Sequence, residues 1–279
     1  MRNCVVCGTG MDPVITEPNH PTCGWNPVMF AEPGDEDAFT NLIKAKLTGI
    51  IQEHDARSPR SLQVKIGPSE MGDLCDRKVA YRLANVAECN QPDNWPASVG
   101  TAVHTWLEGA VKQSVDSGEF ITEQTLYIDQ FIEGHSDLYW IPQQLVIDWK
   151  TMGPDKIRKT RKEGPEPGYV IQAHLYGYGF EQAGHPVKRV ALACLPRAGW
   201  LRDMYVWWAE YDRSIAENAL NRMFGLAKQI LDLDILNESH GHRWEQIPGV
   251  PSNNCGLCPY YDPGRSAELG ATSTGCPGR

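Results

Sequence analysis

The sequence predicts a mixed α/β domain in which helices cover the faces of one sheet. The apolar periodicity runs helix, three strands, helix, two strands, helix. Residues 1 to 33 and the tail from 248 are too rich in Pro, Gly and Cys to belong to those elements. A chain of 279 residues makes one large domain or one domain with small appendages, and 41% apolar with 22% charged residues is a globular balance. No apolar run approaches the roughly 18 residues of a membrane helix. The first 30 residues carry no apolar stretch behind basic residues of the kind that marks a secretory leader. A cytoplasmic protein without a membrane partner is expected.

Asp35, Glu36 and Asp37 open an amphipathic helix whose Phe39, Leu42, Ile43, Leu47, Ile50 and Ile51 recur at three- and four-residue intervals, and residues 52 to 63 form a polar linker. Pro68-Ser69 begins a second helix that carries Cys75, Arg77, Lys78, Tyr81 and Arg82. Ser98 N-caps a third, with an apolar stripe from Val99 to Val111, Gly100, His104 and Glu108 four apart beside it, and Gly118 after its end. Alternation over about 124 to 132, 135 to 140 and 145 to 149 reads as three consecutive antiparallel strands. A basic loop from Lys156 to Lys162 follows. Then come a helix over Tyr169 to Phe180, strands near 188 to 195 and 201 to 210 around Arg197-Ala-Gly199, and a helix from Ser214 to Leu233.

Twenty-six Lys and Arg against 35 Asp and Glu give a net charge of −9, which excludes coating nucleic acid by bulk charge. Any such contact is local, and Lys156, Arg158, Lys159, Arg161 and Lys162 are the local candidates. Asp148 and Lys150 end the apolar strand Leu145-Val146-Ile147 and share one face of it. Asp137 lies on the preceding strand, so a hairpin brings two carboxylates together, and a divalent cation such as Mg²⁺ relieves their repulsion. His104 is placed to complete that coordination.

Nine cysteines in a chain expected to sit in a reducing compartment suggest metal ligation rather than disulfides. Cys4-x2-Cys7-Gly and His20-x2-Cys23-Gly are two knuckles, and four such ligands make a closed Zn²⁺ site. Cys255-x2-Cys258, Cys276 and the distant Cys75 form a second group that suits either zinc or a cluster corner. Cys89 and Cys194 are left as small buried side chains.

The motifs Gly100-x3-His104, Gly134-x2-Asp137, Asp148-Trp149-Lys150 and Gln172-x3-Tyr176 stand in this order. Over roughly residues 65 to 279 the chain resembles the PD-(D/E)xK nucleases of the RecB-like branch, similar to the iron-sulfur CRISPR-associated spacer-acquisition exonuclease and the AddB nuclease domain. The resemblance implies a restriction-endonuclease-like core with a zinc-knuckle module over 1 to 33, a helix and linker over 34 to 64, and the nuclease domain over 65 to 279. It implies Mg²⁺ or Mn²⁺ held by His104, Asp137, Asp148 and the Trp149 carbonyl, Lys150 as the catalytic lysine, and Gln172 and Tyr176 positioning the DNA strand. It also implies a [4Fe-4S] cluster on Cys75, Cys255, Cys258 and Cys276. Asp76 departs from the family's usual Pro, and the interval from Cys258 to Cys276 is longer than its norm.

The expectation is a DNA exonuclease, acting on single strands at DNA ends in recombination, repair or replication, phage-encoded in its setting. No G-x4-GK-[ST] motor loop accompanies it. A second copy or a recombination or replication protein is the partner considered. The alternatives are a CRISPR spacer-acquisition nuclease and a catalytically silent, metal-stabilised DNA-binding subunit.

Overall fold

The computed structural model describes residues 2–3, 10–11, 33–56, 66–90, 95–236, 243–250, 255–263 and 275–278. Two compact units divide the chain, Met1–Gln63 and Val64–Arg279. In the first, β1 (Arg2–Asn3) pairs antiparallel with β2 (Gly10–Met11), and α1 (Pro33–Ala56) is the amphipathic helix. Cys4, Cys7, His20 and Cys23 lie outside the described residues.

The second unit runs α2 (Pro68–Met71), α3 (Asp76–Leu83), α4 (Trp95–Lys112), β3 (Phe120–Asp129), β4 (Ile132–Trp140), β5 (Leu145–Met152), α5 (Pro154–Glu163), α6 (Pro167–Gln182), β6 (Arg189–Pro196), β7 (Tyr205–Glu210) and α7 (Arg213–Asp232). The five long strands form one sheet in sequence order, and helices flank it. Every neighbouring pair is antiparallel except β5 and β6, which are parallel. A parallel pair needs a crossover, and α5 and α6 supply it. β6 lies between β5 and β7, and its Val190 to Leu195 run is buried throughout, as a strand covered on both faces requires. Ala173, Tyr176 and Phe180 of α6 pack on Tyr139, Val146 and Leu192 of the sheet. Leu220, Met223 and Leu226 of α7 pack with Val79 and Tyr81 of α3. Among the described residues no helix is long and apolar enough to cross a membrane.

Three expectations are corrected, and α4 adds a finding of its own. The single helix expected from Pro68 is two, because the chain turns at Gly72 and restarts with Cys75 as the N-cap of α3. The basic segment is not a loop but helix α5, begun by Pro154 and Asp155 and closed by Arg161, Lys162 and the positive-φ Gly164. No residue of α4 is buried, and Trp106 is 71% exposed, since α4 turns toward β3 and β5 the side that bears Gly100 and His104. Cys194 is buried as expected, but Cys89 is exposed, its backbone N–H bonded to the Pro259 carbonyl.

Candidate active site

The hairpin of β3 and β4 and the antiparallel β5 set a row of carboxylates across three strands. The register Leu138↔Ile147 brings Asp137 beside Asp148 one step on. Between Thr122↔Leu138 and Gln124↔Ser136, Glu123 stands opposite Asp137. Two glycines let the flanking elements close on this row. A side chain at Gly100 would meet the Thr151 hydroxyl at 3.4 Å, so α4 rests against β5 and delivers His104. At Gly134 a Cβ would lie 2.6 Å from Pro68 and 3.2 Å from the Tyr176 ring. Gly134→Ala is expected to cost about 1 to 3 kcal/mol, the usual penalty of overpacking, read as a lower urea midpoint with an unchanged m value.

Asp137 is a hub. Its Oδ1 is 2.8 Å from His104 Nδ1, and its Oδ2 accepts from the Trp149 N–H at 2.7 Å. A carboxylate only accepts, so His104 Nδ1 carries the proton of this bond, and Nε2 is the ring nitrogen that could ligate a metal. Burial works against the His104 cation, but the bond to Asp137 and the charges of Asp137 and Asp148 outweigh it and hold its pKa above the ordinary value.

Asp148 is 1% exposed. Lys150 Nζ is 2.7 Å from its Oδ2 in a buried ion pair. Burial pushes the Asp148 carboxyl up to about 6; Lys150 pulls against it and Asp137 adds to it. Lys150 also donates to Gln172 Oε1 at 2.8 Å, and Gln172 Nε2 donates to the Tyr176 hydroxyl at 3.3 Å. Gln172 and Tyr176 face inward together because they are four apart on α6. Burial holds the Tyr176 phenol far above its usual range, so it stays protonated.

The structure thus brings together His104, Asp137, Asp148, Trp149, Lys150, Gln172 and Tyr176. It adds two residues. Tyr169 stacks beneath two ammonium groups, Lys150 at 5.0 Å and Lys156 at 4.9 Å, so Lys156 is the member of the basic helix nearest the site. Glu123, with a left-handed φ of 47°, is the other. Burial, then Asp137 and Glu108, push its carboxyl up to about 7. Counting back from the hairpin turn would have set Gln124 opposite Asp137, because the register shift between Tyr127 and Asp129 moves the pairing by one residue. Among the described residues no three His, Cys, Asp or Glu side chains are arranged to hold a metal ion, because Asp137 is turned to its hydrogen-bond partners and Asp148 to Lys150.

The other basic residues of α5 are largely engaged on the surface. Arg158 pairs with Asp155, Lys159 lies 4.0 Å from Glu163, and Arg161 sits 5.5 Å over the Tyr205 ring.

Cys75, Cys255, Cys258 and Cys276 are drawn from both ends of the unit. Cys276 bridges Tyr261, and Arg77 donates to its sulfur at 3.6 Å. The Val250 N–H donates to Cys75 Sγ at 3.5 Å. Burial pushes the Cys258 thiol up, with Cys276 and Cys75 adding to that and Lys78 opposing it. Cys255 lies beside Gly278, where a Cβ would be 3.7 Å from its own.

No protein-family model and no curated protein matches the chain. Among solved structures it is similar to an alkaline exonuclease from Laribacter hongkongensis, at 12% identity and a TM-score of 0.44 over 61% of this chain and 89% of that one. It is also similar to a phage-related exonuclease from Haemophilus somnus 129PT, at 13% identity and a TM-score of 0.41 over 56% and 81%. Likenesses this distant decide nothing about the chemistry, which rests on the residues themselves.

Proposed function

We propose that the chain is a divalent-metal-dependent deoxyribonuclease with a restriction-endonuclease-like core, hydrolysing phosphodiester bonds at DNA ends. The observation that carries this reading is the buried Asp148–Lys150 pair, flanked by Asp137 and anchored by Gln172. Two neighbouring carboxylates suit a hard cation. His104 Nε2, Asp137, Asp148 and the Trp149 carbonyl would hold Mg²⁺ or Mn²⁺, which when bound supplies a Lewis acid and a more acidic water. Asp148 would have to loosen its hold on Lys150 for this. Gln172, steadied by Tyr176, keeps the ammonium in place as it does so. Lys150 has three N–H donors, and the one that faces neither Asp148 nor Gln172 is available to a phosphate oxygen or the attacking water.

The test is degradation of end-labelled linear and circular DNA with Mg²⁺ or Mn²⁺. Loss of linear DNA with survival of circles supports the reading. Cutting of circles makes the protein an endonuclease, and no cutting by metal-loaded protein brings the binding-subunit alternative forward.

We also propose a [4Fe-4S] cluster on Cys75, Cys255, Cys258 and Cys276; the N–H groups of Arg77 and Val250 that reach two of the sulfurs are the donors a cluster's thiolates attract. Cys258→Ser is expected to lose most bound iron and lower Tm by several degrees, because metal binding and folding are linked. Iron, sulfide and zinc analysis after anaerobic purification checks this, and zinc in place of iron overturns it.

A further inference from the structure

We propose that the tip of the β6–β7 hairpin, Trp200 with Arg202, is a nucleobase platform that receives unpaired bases of a single DNA strand. The proposal rests on the nuclease reading for its substrate class, and it names residues outside the site described above.

The tip lies at the working edge of the sheet. β5 and β6 are parallel, with Lys150 opposite Cys194 and Met152 opposite Pro196, so the segments that follow both strands emerge together. The connection is tied down there. The Arg197 N–H donates to the Met152 carbonyl at 2.7 Å, and its guanidinium reaches the Thr151 carbonyl at 3.4 Å. These carbonyls belong to the two residues after Lys150, within about 7 Å of it along a strand.

The tip is also ordered. Gly199 takes a φ of +118° to turn the chain, and Leu201–Asp203 forms one helical turn. Asp203 closes it, accepting from the Trp200 N–H at 3.3 Å and donating its own N–H to the Trp200 carbonyl at 2.9 Å. Arg161 of α5 donates to the Asp203 carbonyl at 3.4 Å, which joins the basic helix to the hairpin.

On this fixed turn Trp200 is 65% exposed, and the Arg202 guanidinium lies 4.9 Å from the indole ring centre. A cation on one face leaves the other open to a second flat group. An exposed indole with cations around it, in a chain of net charge −9, offers stacking and phosphate attraction in one place. Unpaired bases present both features. A duplex keeps its bases stacked inside and offers only phosphate, so Trp200 confers a preference for single strands, while Arg202 and α5 serve either form.

The experiment measures fluorescence anisotropy of a labelled single-stranded oligonucleotide and of its duplex with the full chain in EDTA at fixed salt. Trp200→Ala is expected to weaken single-strand binding about 10-fold or more and to leave duplex binding nearly unchanged. Trp200→Phe, which keeps an aromatic face, is expected to recover most of the affinity. Unchanged single-strand binding in Trp200→Ala, or an equal loss for both substrates, overturns the proposal. Hydrolysis by the wild-type protein, measured in parallel with Mg²⁺, separates the two readings. Cutting with no effect of Trp200→Ala on binding removes the platform alone, and Trp200-dependent single-strand binding without cutting removes the nuclease reading alone.

Discussion

Lys150→Ala is expected to lower DNA hydrolysis by about 10² to 10³-fold or more, the scale on which removing one group that stabilises developing charge acts. It is also expected to destabilise the protein, and that second effect has to be separated from the first. Lys150 is the charge that compensates the buried Asp148. Removing one partner of a buried pair leaves an uncompensated charge and costs about 3 to 5 kcal/mol. The carboxyl then takes up a proton more readily, which limits the loss. The double variant Lys150→Ala/Asp148→Asn removes both charges and is expected to regain most of the stability with no return of activity. A double-mutant cycle of urea midpoints beside hydrolysis rates reads both quantities. Activity that returns with stability in the double variant would show that Lys150 matters only as a structural partner.

The grouping of the candidate site was legible in the sequence because strand periodicity fixes which side chains meet. Asp137 and Asp148 converge as the hairpin requires, and Gln172 and Tyr176 share a helix face because they are four apart. Helix α5 was missed for a physical reason. Only Ile157 and Thr160 are buried along it, too few to form an apolar stripe, although its Pro154 start, first-turn Asp155 and last-turn Arg161 and Lys162 were visible. On α4 the small Gly100 and the hydrogen bond of His104 to Asp137 hold their side against the sheet, and no residue of the apolar stripe from Val99 to Val111 is buried. Glu123 escaped because its left-handed backbone interrupts the alternation that would have marked it. Where Cys75 lies relative to Cys258 and Cys276 depends on the path of the whole domain, which no local pattern encodes.

Asp148→Asn is expected to stabilise the metal-free protein at pH 8 by several degrees in Tm, because it removes the fully buried anion while the Lys150 ammonium it leaves, less buried, keeps Gln172 and the Tyr169 ring as partners. The folded carboxyl has its pKa raised to about 6 from 3.8, so the fold binds the proton more tightly than the unfolded chain does. This contribution to stability is fully present below about pH 4 and is lost as pH rises through about 6. Asn imitates the protonated form at every pH, so variant and wild type should melt alike near pH 4 and separate at pH 8. Glu123→Gln should move in the same direction, by less because that side chain is half-exposed. Mn²⁺ reverses the order. The wild type should gain stability as RT ln(1 + [Mn²⁺]/Kd), and Asp148→Asn should gain little. The wild-type gain should itself fade below about pH 6, where protons on Asp148 and His104 compete with the cation. Thermal melts at pH 4 and 8, with EDTA or Mn²⁺, give the whole set. An Asp148→Asn variant that is less stable than wild type in EDTA at pH 8 would mean that Lys150 over-compensates the buried charge, and the case for a cation at this site would lose its physical basis.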